Sequence, residues 1–294
     1  ASGVNRGDAL ELRGWPYLAR LMGYGATRPR RPVPGTDIAG TVIATGSAVE
    51  TFDIDDEVVG WATSGAFAEY TTAAATSLVP KPATLTYEQA AGLPTAAVAA
   101  LQAVRDAASA SPGLEVLVVG ASGGVGAFAV QIAAAYGARV TGVSSGRNAE
   151  LVTSLGAADV IDYTHDDFTD HSGRFDVVID LVGNQPLRHV RRALPRKVCL
   201  VVVGGQNPQS ITGIRRFASA AATSPFVSQR LVPLFSKPEP DDLATVVELA
   251  ATGKVRPVID RTFDLTDAAD AVAHVETGRS RGKVVIATGQ GGLR

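Results

Sequence analysis

Cysteine is almost absent from this chain, since Cys199 is the only one among 294 residues. A single cysteine excludes an intramolecular disulfide and any metal site with several cysteine ligands. Cys199 lies in the run Val-Cys-Leu-Val-Val-Val over residues 198–203, which is typical of a buried strand. We therefore expect this thiol to pack in the core.

Long apolar runs and an excess of charge of one sign are also missing. No stretch approaches the roughly 18–20 consecutive apolar residues of a membrane span. The first residues lack the charged and then apolar segments of a secretory signal. The 27 basic and 29 acidic residues give a net charge of −2. This composition predicts no nucleic-acid partner, no membrane partner and, by default, a cytoplasmic location.

The most informative motif is a glycine-rich turn between a predicted strand and a predicted helix. Residues 114–120 are rich in β-branched side chains, the helical pattern ends at Gly137, and residues 139–143 predict a second strand. This order is that of a βαβ unit, which binds a dinucleotide pyrophosphate at a helix N-terminus. A βα turn without a ligand is the alternative. The predicted cofactor contacts of the turn are Ala121, Ser122, Gly123, Gly124, Val125 and Gly126.

The segment after the second strand indicates which dinucleotide binds. NAD-binding proteins usually carry an acidic residue about 20 residues past the glycines. This chain has Ser144 there and Arg147 three residues later. A serine does not repel a 2′-phosphate, and a guanidinium can bind one. The sequence therefore favours NADP(H), with a solvated loop arginine as the alternative for Arg147.

The wider pattern predicts an α/β fold with a doubly wound parallel sheet, because strand and helix patterns alternate to about residue 205. Residues 1 to about 80 predict a small β-domain from short β-like runs, while residues 206–240 give no clear pattern. The β-like runs cover residues 38–43, 57–61 and 67–71, and a β-α-β tail is expected over residues 255–263, 268–276 and 283–287.

The ends of two predicted strands should lie at the carboxyl edge of that sheet, where doubly wound folds bind ligands. The first end includes Val182, and the second includes Val203 and Gly204. Their backbone groups are predicted to bind the carboxamide of the cofactor, with ordinary turns as the alternative.

Several motifs together resemble the medium-chain dehydrogenase/reductase superfamily, and more narrowly its zinc-free quinone oxidoreductase (zeta-crystallin-like) group. The resemblance spans nearly the whole chain. The segments that carry it are Ala1-Ser-Gly-Val-Asn-Arg-Gly-Asp8, Pro34-Gly-Thr-Asp-Ile-Ala-Gly40, Asp56-Glu-Val-Val-Gly60, Ala121-Ser-Gly-Gly-Val-Gly126, Leu155-Gly-Ala-Ala-Asp-Val-Ile-Asp162 and Gly282-Lys-Val-Val-Ile286.

The resemblance implies two domains and a homodimer. A Rossmann dinucleotide-binding domain is expected over residues 89–254, and a GroES-like β-barrel domain over residues 1–88 and 255–294. Relatives usually carry further strands before the first motif, so an N-terminally short barrel is expected here.

The same resemblance bears on metal binding. Zinc-dependent members carry their ligands at positions that look like Asn5, the segment Gly35-Thr-Asp37 and Thr95 in this chain. Asparagine and threonine are poor zinc ligands, and the four histidines show no ligand spacing, so no metal site is expected. Without a Lewis acid, the hydride acceptor should already be electron-poor, such as a quinone or an enone.

The resemblance also implies that Asn5 lies near the nicotinamide or the substrate, with a turn amide bonding local backbone as an equal alternative. Thr95 is the second predicted catalytic residue. Asp8, Tyr17, Thr95 and solvent are all candidate proton donors. The predicted apolar substrate wall, which packing in a loop would also explain, consists of Trp15, Tyr17, Leu18, Leu21, Met22 and Tyr24.

These observations predict an NADPH-dependent, zinc-independent reductase that transfers hydride to quinones or similar conjugated carbonyl compounds. A 2-alkenal or enoyl double-bond reductase is the alternative enzyme. An NADPH-binding sensor or structural protein with little turnover is the alternative of another class.

Overall fold

The computed structural model of the chain describes residues 1–14, 32–171, 173–203 and 215–288. Its strands in these residues are β1 (Ser2–Val4), β2 (Asp37–Thr41), β3 (Glu57–Trp61), β4 (Leu78–Pro80), β5 (Glu115–Val119), β6 (Arg139–Ser144), β7 (Asp159–Asp162), β8 (Val177–Asp180), β9 (Cys199–Val202), β10 (Arg230–Pro233), β11 (Ile259–Asp264) and β12 (Lys283–Ala287).

Helices alternate with these strands over most of the chain. They are α1 (Arg6–Leu12), α2 (Tyr87–Ala91), α3 (Pro94–Leu101), α4 (Gly124–Ala135), α5 (Ala149–Ser154), α6 (Leu187–Ala193), α7 (Arg215–Thr223), α8 (Pro240–Ala251) and α9 (Ala268–Glu276), with a π-helical segment over Gln102–Ala107.

The described residues form two compact units. The first unit contains residues 1–14, 32–98 and 237–288, and the second contains residues 99–171, 173–203 and 215–236. The predicted division into folding domains at residues 88 and 255 stays a prediction. None of the helices in the described part of the chain is both long enough and apolar enough to cross a bilayer.

The first unit is built on a six-stranded sheet in the order β11-β12-β1-β2-β3-β4. Its pairs are antiparallel except β11 with β12, which are parallel and are joined through α9. β1 and β12 come from opposite ends of the sequence and lie side by side, with Gly3 opposite Val285. The apolar cluster beside this sheet includes Val4, Phe67 and Ile286.

The second unit is built on a six-stranded, fully parallel sheet in the order β10-β9-β8-β5-β6-β7. Numbered within the sheet this order is 6-5-4-1-2-3, the Rossmann topology, and it reverses between β5 and β8. The middle of β5 is buried on both faces, since Val116, Leu117 and Val118 are all 0% exposed. The predicted doubly wound sheet is therefore confirmed.

Two segments differ from the sequence-based expectation. Residues 206–240 gave no pattern, yet their described part contains α7 and β10. Residues 67–71 were expected to form a β-like run, and this prediction is wrong. The backbone N–H groups of Ala66 and Phe67 donate to Pro34 O in a loop instead of to a neighbouring strand, and Phe67 packs as a core side chain.

Candidate functional site

The predicted pyrophosphate turn lies between β5 and α4. Gly120 has a φ of +88°, and the N–H groups of Gly120 and Ala121 both donate to Val143 O at 3.0 Å, which fixes the turn to β6. A Cβ atom on Gly126 would lie 2.0 Å from Gly120 O, so only glycine allows the helix to start this close to the strand. The first N–H groups of α4 have no carbonyl acceptor within the helix and point out of its N-terminus.

A second group of residues lies at the carboxyl end of β6. Ser144 is buried at 2% exposure, and its Oγ donates to Ser145 O at 3.2 Å. Arg147 is exposed in the turn Gly146–Asn148 that follows. The two predicted 2′-phosphate contacts therefore lie in one short segment, in which the arginine is exposed and the serine is buried.

Asn148 connects this segment to the glycine-rich turn and was missed by the sequence analysis. Its Nδ2 donates to Ser122 Oγ at 2.9 Å, and the residue is 5% exposed. Its buried Oδ1 has no hydrogen-bond partner among the described residues. A buried acceptor without a partner next to the turn fits a ligand that supplies a donor there. The only sequence signal was its position directly after Arg147.

An acidic residue also faces the same segment. Asp162, at the end of β7, accepts hydrogen bonds from Thr164 at 2.8–3.0 Å. These bonds, with a further one from the Gly146 N–H, lower the pKa of the Asp162 carboxyl. Its negative charge is therefore held against the turn by backbone donors, a position that the sequence alone did not reveal.

The predicted carboxamide contacts lie at the carboxyl ends of β8 and β9. Val182 is 41% exposed, and the Val203 N–H donates to Asp180 O at 3.0 Å. Gly204 lies outside the described residues. Asp180, buried at 2% exposure, and Arg216 on α7 form an ion pair beneath these ends. No pattern in the sequence indicates a role for either residue.

The first unit contains a buried polar cluster around Asp37, and both predicted catalytic residues belong to it. Asn5 Nδ2 donates to Asp37 Oδ2 at 2.8 Å, and the Thr95 N–H donates to the same oxygen at 3.2 Å. Thr95 Oγ1 donates to the other oxygen. Asp37 is 0% exposed. Asn5 and Thr95 are therefore brought together by a carboxylate that accepts from both.

Lys283 supplies the positive charge of this cluster. Its Nζ donates to Val4 O at 3.1 Å and to Asn5 Oδ1, and it lies 3.9 Å from Asp37 Oδ2. Burial lowers the pKa of Lys283, and the nearby carboxylates Asp37 and Asp8 act in the opposite direction. Lys283 lies 278 residues from Asn5 in the sequence, so no local pattern connects the two residues.

Asp8 completes the cluster on helix α1. Its Oδ2 accepts the Asn5 N–H at 2.7 Å, and the residue is 4% exposed. Burial, aided by repulsion from Asp37, raises the pKa of Asp8 to about 7. At neutral pH this carboxyl is thus divided between its protonated and ionised forms. Of the other candidate proton donors, Tyr17 lies outside the described residues, as does the whole predicted substrate wall of residues 15–24.

The cluster includes Asn5, Asp37 and Thr95, which lie in the three places that look like the zinc-ligand motifs of zinc-dependent members of the superfamily, Asp37 being the last residue of the segment Gly35-Thr-Asp37. Here they carry an amide, a carboxylate and a hydroxyl, and an ammonium already neutralises the carboxylate. Zinc requires thiolate, imidazole or carboxylate ligands in tetrahedral arrangement, so this donor set does not fit the ion. Among the described residues no group of three or more His, Cys, Asp or Glu side chains is arranged to hold a metal.

Two protein-family models match the chain. The alcohol dehydrogenase GroES-like domain matches residues 1–83, and the zinc-binding dehydrogenase family matches residues 155–286. The first match covers strands β1 to β4, and the second covers β7 to β11 and most of β12.

Similar proteins include two from Arabidopsis thaliana. The chloroplast envelope quinone oxidoreductase homolog is 32% identical over 280 residues, which cover 89% of this chain and 83% of that protein. The NADPH-dependent alkenal/one oxidoreductase is 35% identical over 272 residues, which cover 88% of this chain and 64% of that protein. The solved quinone oxidoreductase of Coxiella burnetii superposes with a TM-score of 0.81 at 30% identity, over 97% of this chain and 87% of that one.

Proposed function

Because the chain belongs to the quinone oxidoreductase group of the medium-chain dehydrogenase/reductase superfamily, we propose that it is an NADPH-dependent, zinc-independent reductase of quinones and similar conjugated carbonyl compounds. The observation that carries the proposal is the glycine-rich turn at the N-terminus of α4, where the order of the parallel sheet reverses. Bound NADPH supplies the hydride, and the protein supplies binding, orientation and electrostatics.

The residues of the turn, Ala121 to Gly126, bind the pyrophosphate through the N–H groups and the positive dipole end of α4. Ser144 and Arg147 bind the adenosine 2′-phosphate, the arginine through its guanidinium. Support for NADPH comes from the exposed position of Arg147 and from the alkenal/one oxidoreductase, whose name states the same cofactor. Val182 and the segment of Val203 and Gly204 contact the carboxamide.

Zinc independence is supported by the chemistry of the Asp37 cluster. The Lys283 ammonium lies next to the Asp37 carboxylate. The side-chain amide of Asn5 has both of its polar groups engaged, because it donates to Asp37 and accepts from Lys283. A substrate that accepts hydride without a metal must delocalise the added charge itself, as a quinone does.

Asn5 and Thr95 are proposed to act at the nicotinamide or the substrate, with Asp37 orienting both. The proton that completes the reduction comes from Asp8, Tyr17, Thr95 or solvent. Asp8 gains support from its pKa of about 7, because an acid is most effective when its pKa is near the working pH.

Reduction of a 2-alkenal double bond is the second candidate. It is favoured by the 35% identity to the alkenal/one oxidoreductase. This reaction uses the same hydride but needs a proton delivered to the α-carbon, which Asp8 in its protonated form can supply.

A homodimer and a cytoplasmic location also remain proposals. The proposed interface is at β10, the edge strand of the described parallel sheet, because an edge strand presents unpaired N–H and C=O groups to another chain, and Phe226 beside it is 87% exposed. Light scattering compares the molar mass of Phe226→Asp with that of the unaltered protein, and the variant should have the lower mass. Equal molar masses would contradict this assignment.

The activity is tested by NADPH oxidation with 1,4-benzoquinone, 9,10-phenanthrenequinone and a 2-alkenal, each repeated with NADH and with a chelator. Quinone turnover that prefers NADPH and persists in chelator is the expected result. Turnover of the alkenal alone would favour the second candidate, and loss of activity in chelator would contradict zinc independence. NADPH binding without turnover would indicate a sensor, and no binding would overturn the cofactor assignment.

A further inference from the structure

One buried residue holds the ends of two neighbouring strands in the parallel sheet. Asp180 is the last residue of β8, and its Oδ1 accepts the N–H groups of Val182 at 3.2 Å and Gly183 at 2.8 Å. Its main-chain oxygen accepts the Val203 N–H, just past the end of β9. The conformation of both segments that are proposed to contact the carboxamide therefore depends on Asp180.

Arg216 compensates the charge of Asp180 and fastens the other end of the same loop. One guanidinium nitrogen donates to Asp180 Oδ2 and another donates to Gln185 O. The side chains of Arg216 and Asp180 are only 8% and 3% exposed. The planar fork of arginine can hold two acceptors in fixed geometry, which the single ammonium of lysine cannot do.

This clamp of Asp180 and Arg216 lies at the point where the order of the sheet reverses. Asp180 is paired with Val119 of β5, directly before the glycine-rich turn. A Cβ atom on Gly120 would lie 2.7 Å from Val182 Cγ2, so the clamped loop packs against that turn. Ligands of doubly wound sheets bind outside the carboxyl ends of the strands at this point.

We propose that Asp180 and Arg216 are positioning residues for NADPH, which fix the loop 181–185 and the end of β9 at the nicotinamide end of the cofactor. The inference rests on the proposed function. Asp180 and Arg216 act on the site through the backbone segments that they orient, and their opposite charges cancel. Loss of the fork should therefore loosen the loop and displace the cofactor, with little direct effect on electrostatic attraction.

The test compares Arg216→Lys and Arg216→Gln with the unaltered protein, and Arg174→Gln serves as the matched control. Arg174 makes an ion pair with Asp159 in the same unit, but that pair is about 40% exposed. Arg216→Lys keeps the charge and removes the fork, so it remains informative if Arg216→Gln fails to fold.

We expect Arg216→Lys to lower kcat/KM for NADPH by up to roughly 100-fold, mainly by raising the KM for NADPH, since misplacement of a reactant by about 1 Å can cost a rate factor of that size. The KM for the quinone should change much less, and amide hydrogen exchange should accelerate in residues 181–185. Arg174→Gln should leave both measurements unchanged.

Equal NADPH KM and equal exchange in Arg216→Lys would overturn the inference. Faster exchange with equal KM would reduce the clamp to a structural role and would also overturn it. If the unaltered protein binds no NADPH, the proposed function itself fails, and that result is visible before any variant is compared.

Discussion

The carboxyl of Asp8 should make the stability of this protein fall as the pH rises from 5 to 7. Its pKa is raised from an ordinary value near 3.9 to about 7 in the folded chain, first by burial and then by repulsion from Asp37. Between these two values the unfolded chain has lost the proton and the folded chain retains it. Folding is therefore favoured at low pH, and the advantage is lost as the pH approaches 7.

The size of the effect follows from linkage. One pH unit in this window is worth about 1.4 kcal/mol, and partial ionisation near pH 7 reduces the total to about 2 kcal/mol between pH 5 and pH 7. Asp8→Asn removes the titration and keeps a side-chain oxygen to accept the Asn5 N–H. The variant should therefore gain stability relative to the unaltered protein by about that amount over the interval.

The measurement is urea unfolding followed by circular dichroism at pH 5, 6 and 7. Asp267→Asn is the matched control, since the same change is made at an exposed carboxylate of the same unit. Its stability should follow that of the unaltered protein at all three pH values. A difference between Asp8→Asn and the unaltered protein that stays constant with pH, within about 0.5 kcal/mol, would refute the reasoning.

Three further variants test the site. Arg147→Gln should raise the KM for NADPH roughly tenfold, because it removes a charge-assisted hydrogen bond worth about 1.5 kcal/mol or more, and it should leave the KM for NADH unchanged. Steady-state kinetics measure both values, with the exposed Arg188→Gln as the control. An equal rise in both KM values would contradict the assignment of Arg147 to the 2′-phosphate. Gly126→Ala should abolish tight NADPH binding and cost about 1–3 kcal/mol of stability, because its Cβ meets Gly120 O. In the control Gly7→Ala the new Cβ meets no atom within 4 Å. Equal affinities of both alanine variants for NADPH in a fluorescence titration would contradict the close approach of α4 to Gly120. Lys283→Met should lower the free energy of unfolding by about 3–5 kcal/mol, because the buried carboxylate of Asp37 loses its counter-charge. A midpoint of urea unfolding equal to that of the unaltered protein would argue against the ion pair.

The parts of this molecule that the sequence predicts well are those with local, periodic signals. Strands β5 and β6 and helix α4 are separated by glycines and have buried, β-branched or helical spacing, so the βαβ unit could be identified without a structure. The same is true of the β-α-β tail. The chemistry of the glycine-rich turn followed from the order of these elements.

The parts that the sequence did not reveal depend on contacts between distant residues. Asp180 and Arg216 lie on elements separated by residues 181–214, and α7 carries no pattern that indicates a buried arginine. Lys283 reads as the start of an ordinary strand, and only its contacts with Asn5 and Asp37 give it a role. Residues 67–71 alternate like a strand, but the backbone N–H groups of Ala66 and Phe67 donate to the loop carbonyl of Pro34 and not to a neighbouring strand.

The pairing of β1 with β12 has a consequence for how the chain acquires its structure. The interior of the first unit's sheet requires residues 2–4 and 283–287 together, so this unit has high contact order, whereas the sheet of the second unit uses only residues 115–233. During synthesis the second unit can fold before β12, the C-terminal partner of β1, has been translated. The edge of β1 that pairs with β12 stays open until then, whereas its other edge can pair with β2, so this one edge is the part of the nascent chain that most needs protection from aggregation.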